Sequence, residues 1–452
     1  LEKKQFVSYN FNILNPLLII FIGLIFFRDY LGMKIPAIIF LLLYATVALI
    51  GDKNEIIAFC ICSIPLLNAF QSKYAILLCI IIYSIRFTQN IKIYLTVLPI
   101  ALLMIWEFIH GFIGGSSFFE TLRLFAELIF CCFLICSQTE ELDFNKVARA
   151  FATTTVLVCL IILLVQLKEH SFRVGLLFRD AFRLGYGINT DRLSVGFNPN
   201  VLAFICLMAI ECLCMIIYKK QSKVTDIVLI TLLCVFALLT MSKKFIICGL
   251  IFLVLFVLSG GRGKNTLNIL LIIAIVAVSV FFILNYFFPM VVDLIVARFE
   301  VDDITTGRIY IFNFYSKELS QNTSMLYFGM GLQGYSDKLS SVYIDASIPH
   351  NGFQELIVMW GIPGLLLFSA FLVGLVINAR KKNKNIIFIN YIPFIIMMIF
   401  VQAAQMVSSS VISMLFAVVY LCLVIDLKRN DKLADVKPSS KYGGNHGLFF
   451  KS

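Results

Sequence analysis

Apolar runs of about twenty residues recur along the whole chain, separated only by short polar stretches, and a run of that length is what a helix rising 1.5 Å per residue needs to cross a bilayer. The stretch from Leu267 to Phe288 is typical. With 60% of residues hydrophobic, 14% charged and a mean hydropathy of +0.95, no water-soluble fold could cover the apolar surface. Outer-membrane barrels would instead show short alternating segments. The expected fold class is therefore an all-α integral membrane protein, a polytopic helical bundle. Periodicity and length place about fourteen spans, near 13–27, 35–50, 55–70, 74–85, 92–110, 118–136, 147–167, 199–218, 225–241, 245–259, 266–288, 352–378, 386–403 and 406–425, giving about 12–14 transmembrane helices.

The net charge of +11 could indicate nucleic acid, but the basic residues are scattered over the loops between spans and form no single stripe, so no nucleic-acid partner is expected. They instead set an orientation. Lys219, Lys220 and Lys223, then Arg262 and Lys264, then Arg380, Lys381, Lys382 and Lys384 alternate with poorer loops, which places these loops in the cytoplasm. Counting spans outward from them puts both termini inside, in agreement with Lys3, Lys4, Lys428, Arg429 and Lys432. No small-residue cleavage site follows the first apolar run, so it is expected to remain as an anchor. The thirteen cysteines fall in or beside apolar spans and read as small packing residues, not as a disulfide framework.

The same count divides the chain into N-terminal transmembrane helices (1–167), a first long outer loop (168–198), central helices (199–288), a second long outer loop (289–351), C-terminal helices (352–425) and a cytoplasmic tail (426–452). The outer loops are basic against the usual bias. Arg173, Arg179, Arg183 and Arg192 lie in the first, Arg298 and Arg308 in the second, and Lys243 and Lys244 in a short outer turn. An anionic ligand at the outer face would account for them, and solvated surface is the alternative. The second loop ends in Pro349-His350-Asn351-Gly352-Phe353-Gln354-Glu355, followed by Trp360-Gly361-Ile362-Pro363-Gly364. Near positive charge, an imidazole at the membrane lip can stay unprotonated and accept a proton, so His350 is a candidate general base; an interfacial cap is the plainer alternative. Gln354, one turn on, could orient it or simply be a polar residue on the helix surface.

Other polar features have simpler readings. Gly329-Met330-Gly331 is either a phosphate cradle or a turn, and Glu300, Asp302 and Asp303 are either cation ligands or a solvated patch. Glu127 and Glu211 fall within spans, where carboxylates are costly. Arg123, one turn before Glu127, offers it an intrahelical pair. Glu211 has no such neighbour and would either face an acceptor groove or sit neutral against another helix.

From about residue 190 to 425 the chain resembles the bacterial O-antigen and capsular polysaccharide polymerases and the related O-antigen ligases. His350-Asn351, nine residues, Gly361, two residues and Gly364 fit the signature of that family after its largest outer loop. Gly196-Phe197-Asn198-Pro199-Asn200 with Ala203 looks like its Asn-Pro-Asn segment, and Thr240-Met241-Ser242-Lys243 like its short Ser-Arg turn, with lysine in place of arginine. Thr306-Gly307-Arg308 and Phe328-Gly329-Met330-Gly331-Leu332 look like the start and glycine turn of its main loop. The resemblance implies a GT-C-like glycosyltransferase of the bacterial cytoplasmic membrane, with its active site on the outer face. It implies an undecaprenyl-pyrophosphate-linked oligosaccharide as donor and a sugar hydroxyl of another lipid-linked unit as acceptor, with inversion and without metal or cofactor. His350 and Arg308 would then be catalytic. Arg192, Lys243, Lys244, Arg298, Asn351 and Gln354 would bind pyrophosphate or glycan. A flippase and a chain-length regulator are candidate partners besides the membrane lipid. An O-antigen ligase transferring glycan to a lipid A core or another acceptor is the alternative within the class, and a lipid-linked oligosaccharide flippase or transporter the alternative outside it.

Overall fold

The computed structural model describes residues 14–69, 72–114, 118–139, 142–173, 182–185, 198–259, 264–287, 289–290, 293–294, 308–332, 334, 349–407 and 410–427. Among the described residues there are sixteen α-helices and no strand, only an isolated bridge between Ile91 and Ser137. In chain order the helices are α1 (Leu14–Asp29), α2 (Ala37–Ile50), α3 (Lys53–Cys62), α4 (Ser72–Arg86), α5 (Leu98–Gly114), α6 (Phe118–Cys136), α7 (Phe144–Glu169) and α8 (Pro199–Tyr218). They continue as α9 (Val224–Leu239), α10 (Lys243–Ser259), α11 (Lys264–Phe287), α12 (Arg308–Gln321), α13 (Thr323–Phe328), α14 (Gly352–Lys382), α15 (Phe388–Val401) and α16 (Ser410–Val424). Short polar signals start several of them. Asp52 accepts from the Asn54 and Glu55 N–H groups while Glu55 accepts from Asp52 N, a reciprocal cap on α3. Asn198 caps α8 ahead of Pro199, whose missing N–H has no partner to lose at that position.

Each of the fourteen expected spans contains a helix, and among the described residues four are long and apolar enough to cross a membrane by themselves: Leu95–Ile113, Phe144–Glu169, Pro199–Tyr218 and Gly352–Lys382. This is the construction of a helical membrane protein. Several of the other apolar helices are shorter, α2 and α15 with 14 residues, α16 with 15 and α9 with 16, less than a full crossing needs at 1.5 Å per residue. The expected span at 55–70 shows why. α3 stops at Cys62 and a 3₁₀ segment, Ile64–Ala69, follows, because Pro65 has no N–H for the helical ladder and its ring crowds the preceding turn.

α8 is the central helix. It packs against α7, α9, α10, α15 and α16, and 89% of its apolar window is buried, as expected of a helix apolar on every side. Cysteines serve the close approaches here, with Cys159–Cys206 joining α7 to α8 and Cys212–Cys422 joining α8 to α16, each at 3.7 Å between sulfurs. At one end of the bundle Arg149 holds Asp226 through two bonds of 2.7 and 2.9 Å, and Lys382 donates to the Ile135 and Ser137 carbonyls at the end of α6. The starts of α8, α10 and α14 meet at the other end.

Candidate functional site

At that second end, contacts tie together segments that are far apart in sequence. Asn200, in the first turn of α8, accepts through Oδ1 from Arg183 Nη2 at 3.1 Å and from Ser242 Oγ at 2.9 Å. Arg183 Nε also donates to Thr240 O at 3.1 Å, and Gln166 on α7 holds Arg183 O and Gly185 N. Arg183, a basic residue of the first long loop, is thus fastened to the turn between α9 and α10. Lys243 and Lys244, next along that turn, open α10, Lys243 half-buried and Lys244 buried. Lys244 Nζ donates to Ala403 O and lies 5.3 Å from the centre of the Phe400 ring, which itself stacks on Phe204 of α8. A cation over an aromatic face is favourable where water is scarce.

The same 402–407 turn engages the start of α14. Asn351 caps that helix, its Oδ1 accepting from Phe353 N and Gln354 N at 3.0 Å each, while its Nδ2 donates to Gln402 O at 3.1 Å. Glu355, fully buried, accepts from Met406 N at 2.5 Å and Val407 N at 3.1 Å. His350 is half-buried directly before this cap. One connected path therefore runs from Arg183 through Asn200, Ser242, the Lys243-Lys244 pair and the 402–403 backbone to Asn351 and His350.

Gln354 corrects one expectation. It is 5% exposed, so it is not a helix-surface residue, and its Nε2 donates to Phe312 O and Ser316 Oγ at 2.9 and 3.1 Å. It fastens α12 to α14, leaving its Oε1 buried without a hydrogen-bond partner. Asn351 likewise spends both ends of its amide on backbone, so each of these two has a structural task whatever else it touches. Arg308 opens α12, and its side chain lies outside the described residues. Arg192, Arg298, Arg179, Glu300, Asp302 and Asp303 lie outside them entirely, as do the C-terminal tail after Leu427, most of the first long loop and nearly half of the second. Arg123's side chain does too, so its pairing with Glu127 is not described; Glu127 itself is buried. Arg173 is exposed at the end of the α7 turn.

The glycine turn after α13 packs on α14 through backbone. Gly361 has φ +67° inside α14, breaking the helix two residues before Pro363. Gly329 has φ +78°, and a side chain there would strike Met359 O and Trp360 N, just as one on Gly361 would strike Tyr327 O. The break leaves carbonyls to be satisfied: Val358 O accepts from Met330 N at 3.0 Å and Trp360 O from Trp106 Nε1 at 3.2 Å. Beside it Glu107 of α5 is fully buried, its Oε2 accepting from Trp360 Nε1 at 2.6 Å and its Oε1 from Leu332 N at 2.9 Å. Sequence reasoning missed Glu107. The signal was present as a lone carboxylate inside an apolar run beside a tryptophan.

Among the described residues no cluster of three or more His, Cys, Asp or Glu side chains could hold a metal ion. An apolar cavity of about 270 Å³ lies between α8, α9, α10 and α11, with Phe245 and Phe256 among its walls. A polar cavity of about 500 Å³ lies at the opposite end, lined by Asp143, Lys219, Lys382, Lys384 and Asp426 among others. No protein-family model matches the chain, and no curated protein matches it.

Proposed function

We propose that this chain is a GT-C-like glycosyltransferase of the bacterial cytoplasmic membrane that polymerises lipid-linked repeat units. In this reading it transfers glycan from undecaprenyl pyrophosphate to a sugar hydroxyl of another unit at the outer face, as in O-antigen or capsule synthesis. The observation that carries the reading is the connected path from Asn200 through Ser242-Lys243-Lys244 to Asn351 and His350. The segments that resemble the polymerase and ligase family, more than a hundred residues apart at the extremes, form one neighbourhood at the ends of their helices. The contacts also sort by end. Lys219, Lys382 and Lys384 line a cavity at one end, while Arg183, Lys243, Lys244 and His350 gather at the other, which supports an orientation with cytoplasmic termini and an outer site across about 12–14 crossings.

In this mechanism His350 removes the proton from the acceptor hydroxyl as that oxygen attacks the anomeric carbon, the bond to pyrophosphate breaks, and configuration inverts. Arg308, Arg192 and Arg298 with Lys243 and Lys244 hold the pyrophosphate and stabilise its departing charge. Lys243 offers a point charge where the family has an arginine fork, so its pairing is less directional. The test uses full-length protein in nanodiscs with synthetic undecaprenyl-pyrophosphate repeat units and no nucleotide sugar. A glycan ladder that survives EDTA and falls by about 100-fold or more in both His350→Ala and Arg308→Ala supports the reading. A normal ladder in His350→Ala removes the base assignment. Transfer only to an added lipid A core identifies a ligase.

A second reading rests on Glu211. It is buried in the middle of α8 with neither carboxylate oxygen hydrogen-bonded, and an ionisable group inside a membrane helix is also what a transporter such as a flippase would carry. Movement of fluorescent lipid-linked unit across proteoliposomes, lost in Glu211→Gln with no ladder formed by wild type, would favour it.

A further inference from the structure

We propose that Glu107 is a positioning residue for the outer site: it locks the 329–332 turn onto α14 at its break, in the helix that begins directly after His350 and Asn351. The role in turnover rests on the function proposed above; the lock itself does not. Three features carry it. Glu107 is fully buried and both its oxygens accept, one from a side chain of α14 and one from the backbone of the 329–332 turn, so a single carboxylate ties two elements to a third, α5. The tie falls where neither partner can hold itself: α14 is broken at Gly361, and the turn passes through positive φ at Gly329 and Gly331. Finally, the neighbouring contacts all point the same way. Trp106 Nε1 caps Trp360 O, Met330 N caps Val358 O, Phe125 of α6 stacks on Trp360 at 5.6 Å, and Gly331 sits against the His110 ring with no room for a Cβ.

The consequence is geometric. Leu332 is held by the lock, and at the start of α14 Asn351, next to His350, is pinned to Gln402. Gln354 holds α12, the helix that Arg308 opens, to the first turn of α14. Glu107 therefore fixes the break of the helix whose first turn follows the proposed base, ten residues before Trp360. A glutamine there would keep the size but offer one neutral acceptor in place of two carboxylate oxygens, so whichever way the amide turns the Trp360 N–H loses its charged partner.

The chain supplies its own reporter, because its only two tryptophans, Trp106 and Trp360, are both in the lock. The experiment compares wild type, Glu107→Gln, Glu107→Asp, Trp360→Phe and the Glu107→Gln/Trp360→Phe double variant, each full length in nanodiscs. Tryptophan emission, acrylamide quenching, thermal unfolding and ladder formation are read on each. In Glu107→Gln the emission maximum shifts and quenching rises about two-fold or more as Trp360 loses its charge-assisted partner. In the double-mutant cycle the two losses of stability are less than additive, as for residues in contact. In turnover, kcat falls about ten-fold or more with KM within about three-fold, the signature of lost transition-state alignment and not of lost binding. Glu107→Asp recovers part of that kcat.

Unchanged emission and quenching in Glu107→Gln, or additive losses in the cycle, overturn the lock. A lock confirmed by fluorescence with kcat unchanged overturns the positioning role. If Glu107→Gln does not fold, Trp360→Phe decides: it removes the same hydrogen bond, and full kcat in it overturns the proposal. If wild type forms no ladder, the function above fails and with it the positioning role, while emission and the cycle still judge the lock separately.

Discussion

Glu211 poses the plainest question at the scale of single residues. Its two oxygens are buried in α8 without a hydrogen bond, and a buried unsatisfied polar group destabilises a fold by about 1–3 kcal/mol. Glu211→Met, which fills the same space without polar atoms, should therefore raise the thermal unfolding midpoint, corresponding to about 1–3 kcal/mol. A lower midpoint would mean that the carboxyl has a partner worth keeping. A higher midpoint with lost activity would mark Glu211 as a group retained for function at the expense of stability. The contrast with Glu107 and Glu355 is instructive. All three are carboxylates in apolar surroundings, but Glu107 and Glu355 each accept two N–H donors from other elements. Nothing in the local sequence separates the satisfied carboxylates from the unsatisfied one, because every donor involved except Trp360 is backbone and comes from a distant segment. His350 was legible as a candidate from its place at the edge of an apolar run, and Asn351 only through the family resemblance. That Asn351 spends its side chain on a helix cap was not read from the sequence, although Asn before a helix start is a common cap, and its grip on Gln402 lies 51 residues away.

At the scale of elements, α14 shows how a broken helix is made stable. The backbone of the glycine turn enters where Gly361 leaves helical geometry, so two positive-φ glycines, Gly329 and Gly361, face each other without side chains between. Gly329→Ala and Gly361→Ala should each cost at least about 2 kcal/mol of stability, from strained φ and from backbone collision together. Gly249 in α10, where a Cβ would stand in open space, is the matched control, and Gly249→Ala should be neutral or stabilise by up to about 1 kcal/mol. Thermal unfolding in one detergent checks all three; equal effects would show that the interlock carries no strain. Helix positions were largely readable from apolar length and from caps. α6 and α8 begin and end where expected, and α14 runs four residues further, to Lys382, because basic residues in its last turn are compatible with helix. The short helices α12 and α13 inside the second long loop were not anticipated, since α12 is as polar as a loop, α13 has only six residues, and both pack on α14.

Across the whole molecule, the two ends differ in what they assemble. One gathers Arg149, Asp226, Lys382, Asn383 and Asn390 around helix ends, with Asn390 Nδ2 holding the Cys422 and Ile425 carbonyls at 2.8 and 3.0 Å. The other gathers the path from Arg183 to His350. On the proposed orientation, Arg173→Cys should react with a membrane-impermeant maleimide in intact spheroplasts, and Lys384→Cys only after permeabilisation; both positions are exposed. The reverse pattern would invert the orientation and place the site on the cytoplasmic side. The sequence by itself determined that the chain is helical and built for a membrane, roughly where each apolar helix lies, and which polar segments interrupt them. Those follow from apolar length, caps and proline, which act within a few residues of chain. Only the tertiary structure decided that Arg183, Asn200, Ser242, Lys244 and Asn351 form one connected neighbourhood, that Gln354 is buried as a clamp on α12, and that Glu107 joins the first half of the molecule to the second. Those contacts span from 17 to 253 residues of chain, and several end on backbone groups, which carry no residue identity for a sequence pattern to reveal.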